Sequence, residues 1–131
     1  MKKLKGLIIV LSIILSLFGL TACGGDNNNS YEQITPQEAK TIMDADRDYI
    51  IIDARTDEEF AEGHINNAIL IPEYEIADRA EKELPEKDAL ILVYCRSGRR
   101  SKIASEELVK LGYTNVKEFG GIIDWPYEVV E

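Results

Sequence analysis

The sequence predicts an α/β domain in which a mostly parallel central sheet carries helices on both faces. Strand-like apolar runs alternate with amphipathic helical segments from residue 31 to residue 131. Residues 49–52 and 89–94 form continuous apolar runs, which are typical of strands buried on both faces. Strands that alternate with helices pair in parallel through crossover connections, so three layers are expected.

Capping patterns and apolar spacing place the elements. Thr35, Pro36 and Glu38 form a capping-box start for a helix that runs to about Asp44. Thr56 opens a second, short helix in the same way. The predicted order is helix 35–44, strand 49–52, helix 56–62, strand 68–71, helix 74–84, strand 89–94, helix 101–111 and strand 116–119. The acidic pairs 58–59 and 106–107 are interpreted as solvated helix faces.

Residues 1–22 are interpreted as a signal peptide. Three lysines lie within residues 1–5, an apolar run fills residues 7–20, and small residues follow. The apolar run is shorter than the roughly 20 residues of a membrane-spanning helix, which disfavours a retained anchor. Residues 24–30 contain no apolar side chain and predict a flexible tether. We therefore divide the chain into residues 1–22, a tether 23–30 and a folded domain 31–131.

The segment from Leu20 to Cys23 resembles the lipobox of bacterial lipoproteins. The resemblance implies cleavage before Cys23 and a diacylglyceryl group on its sulfur. The domain would then lie on the extracytoplasmic side of a bacterial membrane, anchored by lipid. Ordinary secretion, with Cys23 as a spare thiol, is the alternative.

The chain is acidic, with a formal net charge of −9. Residues 1–22 contain three lysines and no acidic residue, so their removal changes the charge to −12. This large net negative charge disfavours nucleic acid and anionic lipid surfaces as partners. Arg96, Arg99 and Arg100 stand out against this background and indicate a local site for an anion.

The strongest chemical signal is the run Cys95-Arg96-Ser97-Gly98-Arg99-Arg100, between a predicted buried strand and a helix. Such a loop can point backbone N–H groups at an anion, with Gly98 free to adopt conformations that other residues resist. The helix N-terminus and the arginines favour a thiolate. Cys95 is therefore predicted to be a nucleophile. The alternative is a strand-to-helix turn with a buried, inert Cys.

The loop resembles the active-site loop of single-domain rhodaneses, Cys-x-x-Gly-x-Arg, and two flanking segments match as well. The upstream match comprises Asp53, Ala54, Arg55, Glu59, Phe60, Gly63, His64, Ile65 and Ala68, and the downstream match comprises Gly120, Gly121 and Trp125. Asn66, Asn67 and Asp124 depart from the family pattern. The resemblance covers about residues 31–127 and implies the rhodanese-like three-layer fold.

The resemblance implies sulfurtransferase activity. Cys95 would take a sulfane sulfur from a small anion such as thiosulfate and pass it to a thiol or cyanide through a persulfide. Arg96 and Arg100 would contact the donor anion, and Ser97, Gly98 and Arg99 would complete the loop. Neither a cofactor nor a metal is expected, since His64 is the only histidine and has a structural role in matching families.

Several alternatives stay open at this point. Asp53 and Arg55 are either an ion pair steadying the active loop or only a strand terminus, and Arg99 either binds the donor or faces solvent. The domain could also hold or relay sulfur without fast turnover, or have a thiol-redox role. A cysteine phosphatase is disfavoured because its signature places five residues between Cys and Arg, whereas Arg100 comes one position early.

Overall fold

The computed structural model describes residues 30–131, so the predictions for residues 1–29, including lipidation of Cys23, lie outside the described residues. The elements are β1 Glu32–Gln33, α1 Pro36–Asp44, β2 Ile50–Asp53, α2 Asp57–Glu62, β3 Ala68–Leu70, α3 Ile76–Glu83, β4 Ile91–Cys95, α4 Arg99–Lys110 and β5 Val116–Gly121. Short 3-10 turns at Glu73–Glu75 and Ile122–Asp124 complete the chain. Within residues 30–131, no helix has the length and apolar character needed to cross a bilayer.

The sheet has five strands in the order β1-β5-β4-β2-β3, and each neighbouring pair is parallel. Strand β4 lies at the centre, with all five of its residues buried. This position explains its uninterrupted apolar sequence, because helices cover both faces of a parallel sheet. The predicted α/β class and parallel sheet are confirmed.

Alternate side chains of the central strands supply two separate cores. On one face, Val93 and Cys95 pack with residues of α3 and α4 such as Ala80 and Leu108. On the other, Tyr94 packs with Ala39 of α1 and with other apolar side chains. Because side chains alternate along a strand, consecutive residues serve opposite layers. Cys95 therefore belongs to the α4 side of the sheet and its neighbour Tyr94 to the α1 side.

Two boundaries differ from the sequence prediction in ways that affect the site. Helix α4 begins at Arg99 rather than near Ser101, since Gly98 has φ 109° and turns the chain directly into the helix. Cys95 is accordingly the last residue of β4, and only residues 96–98 form the loop.

The edge strand β1 was not predicted because its residues, Glu32 and Gln33, are polar and exposed.

Candidate active site

The Cys95 side chain lies at the carboxyl end of β4 and is only 1% exposed. The Gly98 N–H donates a hydrogen bond to its Sγ atom over 3.0 Å. The left-handed conformation of Gly98 folds the three-residue loop back over the sulfur, so the amide of residue 98 reaches a side chain three positions earlier. The predicted contact between loop backbone and sulfur is present as one direct hydrogen bond.

Helix α4 starts beside this loop. Its first turn leaves N–H groups without partners inside the helix, and Lys102 N–H is bonded to the Gly98 carbonyl oxygen over 3.3 Å. The N-terminal end of a helix carries a partial positive charge, which favours anions near it. Arg96, Ser97 and Arg99 are exposed around the loop. Anion-attracting groups thus surround a sulfur that is itself covered.

Arg100 occupies a different position from the one predicted. It lies in α4, and its guanidinium binds the Glu59 carboxylate through Nη1–Oε1 and Nη2–Oε2 contacts of 2.7 and 2.9 Å. Its hydrogen bonds to Glu59 raise the pKa of Arg100, and the same bonds lower the pKa of Glu59. The interpretation of Glu59 as a solvated residue is wrong, since it anchors α2 to α4 while Thr56 caps α2. Arg96 and Arg99 keep exposed side chains at the loop.

Asp53 and Arg55 form a buried ion pair at the carboxyl end of β2. Arg55 Nη2 lies 2.7 Å from both Asp53 Oδ2 and the Gly63 carbonyl oxygen. The Tyr94 hydroxyl donates to Asp53 Oδ2 over 2.7 Å and accepts the Ile65 N–H over 3.0 Å. Burial acts to lower the pKa of Arg55, but hydrogen bonding and charge from Asp53 outweigh it and raise the pKa. For Tyr94, burial raises the pKa, and the charge of Asp53 raises it further. Of the two interpretations left open, the ion pair that steadies the site fits this network, because Tyr94 adjoins Cys95.

The Gly120–Gly121 pair allows β5 to pass against the active loop. A Cβ atom on Gly121 would lie 1.9 Å from the Arg96 carbonyl oxygen and 2.5 Å from the Ser97 nitrogen. The Ile123 N–H bonds to the same Arg96 oxygen over 3.3 Å. Because these are backbone atoms, no side-chain rotation relieves the clash. Gly121 therefore sets the close approach that supports the loop.

His64 lies in the segment after α2. Its ring stacks on Phe60 with a centroid separation of 3.7 Å, and Nδ1 is 2.9 Å from the Phe60 carbonyl oxygen. Its backbone pairs with Val130 in an isolated antiparallel bridge. These contacts fit the structural role expected for His64.

Sequence reasoning missed two polar residues at the sulfur. Ser101 is fully buried, and its Oγ atom lies 3.3 Å from Cys95 Sγ and 2.6 Å from Glu118 Oε1. Glu118 is 2% exposed, and its Oε1 also accepts the Gly120 N–H over 2.8 Å. A Glu in a short strand next to Lys117 gives no sequence signal, because burial on one face appears only once the sheet is assembled.

A separate cleft of about 730 Å³ lies away from this site. Its lining includes Tyr49, Asn66, Asn67, Trp125 and Tyr127, and none of the loop residues contributes to it. Trp125 also packs on Phe119, with a ring-centroid distance of 5.5 Å.

The chain belongs to the rhodanese-like domain family. The sequence model of that family, described as "Rhodanese-like domain", matches residues 35–126. The resemblance seen in the loop and its flanks is thereby confirmed. The fold neighbours described below agree with it.

Named relatives and solved structures are similar over much of the domain. "Thiosulfate sulfurtransferase PspE" of Escherichia coli is 40% identical over 73 residues, covering 56% of this chain and 70% of the relative. "Adenylyltransferase and sulfurtransferase UBA4" of Candida albicans is 34% identical over 104 residues, but the match spans only 24% of that protein. The structure "rhodanese with anions from E. coli" has a TM-score of 0.61 at 36% identity and covers 64% of this chain and 99% of that chain. Sulfur transfer is thus the activity class of the named relatives.

Proposed function

We propose that this protein is a sulfurtransferase in which Cys95 takes a sulfane sulfur from a small anionic donor such as thiosulfate. The Cys95 thiolate forms a bond to the outer sulfur of thiosulfate while the S–S bond breaks with its electron pair, and sulfite leaves. The enzyme then holds a persulfide anion. A cyanide or thiolate acceptor attacks the terminal sulfur and leaves as thiocyanate or a new persulfide, which restores the Cys95 thiolate.

The observation that carries this proposal is the setting of Cys95 at the N-terminal end of α4. Its sulfur accepts the Gly98 N–H, and the helix end favours negative charge there. A preorganised donor set of this kind stabilises an anion without rearranging during the reaction. The small loop and the covered sulfur suit a compact donor.

Charge supports an anionic donor. Because Arg100 is paired with Glu59, the exposed Arg96 and Arg99 are the arginines that we propose attract the donor. The body of the protein carries net negative charge, so these two cations form a local exception. The relative named thiosulfate sulfurtransferase PspE supports the same class of donor.

Steady-state kinetics test the proposal. Purified protein mixed with thiosulfate and cyanide should produce thiocyanate, with the parallel-line pattern of a double-displacement mechanism. Cys95→Ser should abolish thiocyanate formation, whereas Cys23→Ser should leave it unchanged. Turnover of p-nitrophenyl phosphate without thiocyanate formation would refute this proposal and indicate that the protein is a phosphatase. Slow persulfide formation without turnover would indicate a sulfur-relay module.

We also propose that Cys23 carries a lipid anchor that holds the domain on the extracytoplasmic face of a bacterial membrane. The proposal rests on the order of charged, apolar and small residues before Cys23. Cells expressing the chain and fed a labelled fatty acid should incorporate label, and Cys23→Ala should prevent incorporation. Equal labelling of both proteins would refute lipidation at this position.

A further inference from the structure

A buried carboxylate lies two hydrogen bonds away from the sulfur of Cys95. Glu118 Oε1 is 2.6 Å from Ser101 Oγ, and Ser101 Oγ is 3.3 Å from Cys95 Sγ. Ser101 is fully buried, and the other two residues are 1–2% exposed. In the described part of the chain, Glu118 forms no ion pair that would balance its charge. A buried carboxylate without a cation is costly, so its retention beside the nucleophile calls for a role.

The number of available hydrogens limits how the three groups connect. A serine hydroxyl has one hydrogen to donate. Besides the sulfur, Ser101 Oγ has three acceptors: the Glu118 carboxylate at 2.6 Å, the Gly98 carbonyl at 3.0 Å and the Gly120 carbonyl at 3.4 Å. The shortest contact is to Glu118, where a charged acceptor makes the strongest bond. When Glu118 is ionised, Ser101 therefore donates to Glu118, and Cys95 contacts Ser101 as an S–H donor.

A second arrangement uses the same atoms. If the Cys95 proton passes to Ser101 Oγ while the Ser101 proton passes to Glu118, the charge moves to the sulfur. Glu118 then donates to Ser101, and Ser101 donates to the Cys95 thiolate. One proton and one negative charge are present in both arrangements, and nothing is exchanged with solvent.

We infer that Cys95 and Glu118 share a single proton through Ser101, so that Glu118 controls when the sulfur is a thiolate. This inference rests on the proposed function for its catalytic meaning, because the thiolate is the attacking species. While an ionised Glu118 holds the negative charge of the pair, the sulfur keeps the proton, and the sulfur is a thiolate only when the proton lies on Glu118 or has left the pair. Ser101 touches the reacting atom, and Glu118 acts through it as a positioning residue.

Other charges around the pair do not replace this coupling. Tyr31, the residue before β1, is close enough to Glu118 to respond to its charge: the pKa of Tyr31 is raised by burial first and then by the charges of Glu106 and Glu118. Lys117, the neighbour of Glu118 along β5, pairs with Glu32. The pKa of Arg100 is raised mainly by its hydrogen bonds to Glu59 and to a smaller extent by the charge of Cys95, and its guanidinium is bound to Glu59.

Replacing Glu118 and replacing Ser101 should change the reactivity of Cys95 in opposite directions. In Glu118→Gln the carboxylate no longer competes for negative charge, so the thiolate should form at lower pH. In Ser101→Ala the carboxylate remains while the thiolate loses its hydroxyl donor, so the thiolate should form at higher pH. If the two substitutions acted only by loosening the packing around Cys95, both would shift its alkylation profile in the same direction.

Alkylation by iodoacetamide as a function of pH measures this directly. The full chain is used, and the rate is followed by mass spectrometry on the peptide containing Cys95, so Cys23 does not contribute. We expect the half-maximal pH to fall by about one unit in Glu118→Gln, which is about tenfold in rate below both midpoints. Glu106→Gln, an exposed change on α4, is the matched control and should leave the profile in place.

Alkylation requires no sulfur donor, so this test stands apart from the proposed function. An unchanged or upward profile for Glu118→Gln would overturn the proton-sharing inference, even if thiocyanate is produced normally. If Glu118→Gln does not fold, an unchanged or downward profile for Ser101→Ala overturns it instead. Opposite shifts in a protein that forms no persulfide would support proton sharing while refuting sulfur transfer.

Discussion

Replacing Gly121 by Ala should disrupt the active loop through a backbone collision. The added Cβ would lie 1.9 Å from the Arg96 carbonyl oxygen, 2.4 Å from its carbon and 2.5 Å from the Ser97 nitrogen. Gly121 itself has φ −123°, which any residue adopts. The expected damage therefore comes from contact alone and not from an unfavourable backbone angle at this position.

The size of the effect follows from the atoms involved. Overpacking against side chains costs about 1–3 kcal/mol, and a contact with backbone atoms belongs at the upper end because either β5 or the loop must move. A loss of about 3 kcal/mol corresponds to a fall in Tm of about 12–24 °C for a domain of about 100 residues. If the loop moves, the hydrogen bond from Gly98 to Cys95 Sγ is lost as well.

Thermal unfolding and thiocyanate formation should be measured together for this variant. Gly112→Ala is a matched control, because Gly112 has φ 98° but no atom within 4 Å of an added Cβ. The control should lose about 1 kcal/mol through backbone strain while retaining activity when assayed well below its Tm. Gly121→Ala should lose both stability and activity. Wild-type Tm and activity in Gly121→Ala would refute the close-approach reasoning.

Three further predictions concern the surroundings of the loop. Arg96→Gln and Arg99→Gln should each raise the thiosulfate KM about threefold at low salt with kcat unchanged, since each removes one exposed charge near a dianion. Glu59→Gln should lower the free energy of unfolding by about 1 kcal/mol at pH 7 by unpairing Arg100. Because the folded-state pKa of Glu59 is lowered, this difference should be present above the unfolded pKa of about 4.3 and shrink as urea denaturation is repeated at lower pH. Tyr94→Phe should cost about 1–3 kcal/mol in urea denaturation, because it leaves the buried Ile65 N–H without its acceptor and removes one of the donors to Asp53 Oδ2.

Each of these predictions has a contradicting result. Lys110→Gln, at the far end of α4, is the charge control for the arginine variants. An equal rise in KM for that variant would show that net charge, and not the loop, attracts the donor. A constant effect of Glu59→Gln from pH 7 to pH 3 would argue against the ion pair. Full stability in Tyr94→Phe would contradict the buried network.

The central strand and the helix starts were predictable because their signals are local. The apolar run of β4 reflects burial on both faces, and the capping box of Thr35 and Glu38 is present as expected, with contacts of 2.9 and 3.1 Å. The candidate site could also be located from the sequence, since Cys95 is followed by glycine and arginines within one short run. These features depend on residues close together in the sequence.

The partners of the loop were not predictable because they come from distant segments. Glu59 reaches Arg100 across 41 positions, and Glu118 reaches Ser101 across 17. The alternation of polar and apolar residues does not distinguish a solvated Glu from one that faces a buried hydroxyl. Only the parallel pairing of β4 with β5 brings Glu118 beside the sulfur-bearing strand.

Mass spectrometry of the protein after incubation with thiosulfate tests the central claim most directly. The account predicts a mass increase of about 32 Da, mapped to Cys95 and removed by cyanide with release of one thiocyanate per adduct. Cys95→Ser should remain unmodified under the same conditions. Thiosulfate-dependent turnover without any adduct at Cys95, or full activity in Cys95→Ser, would contradict it.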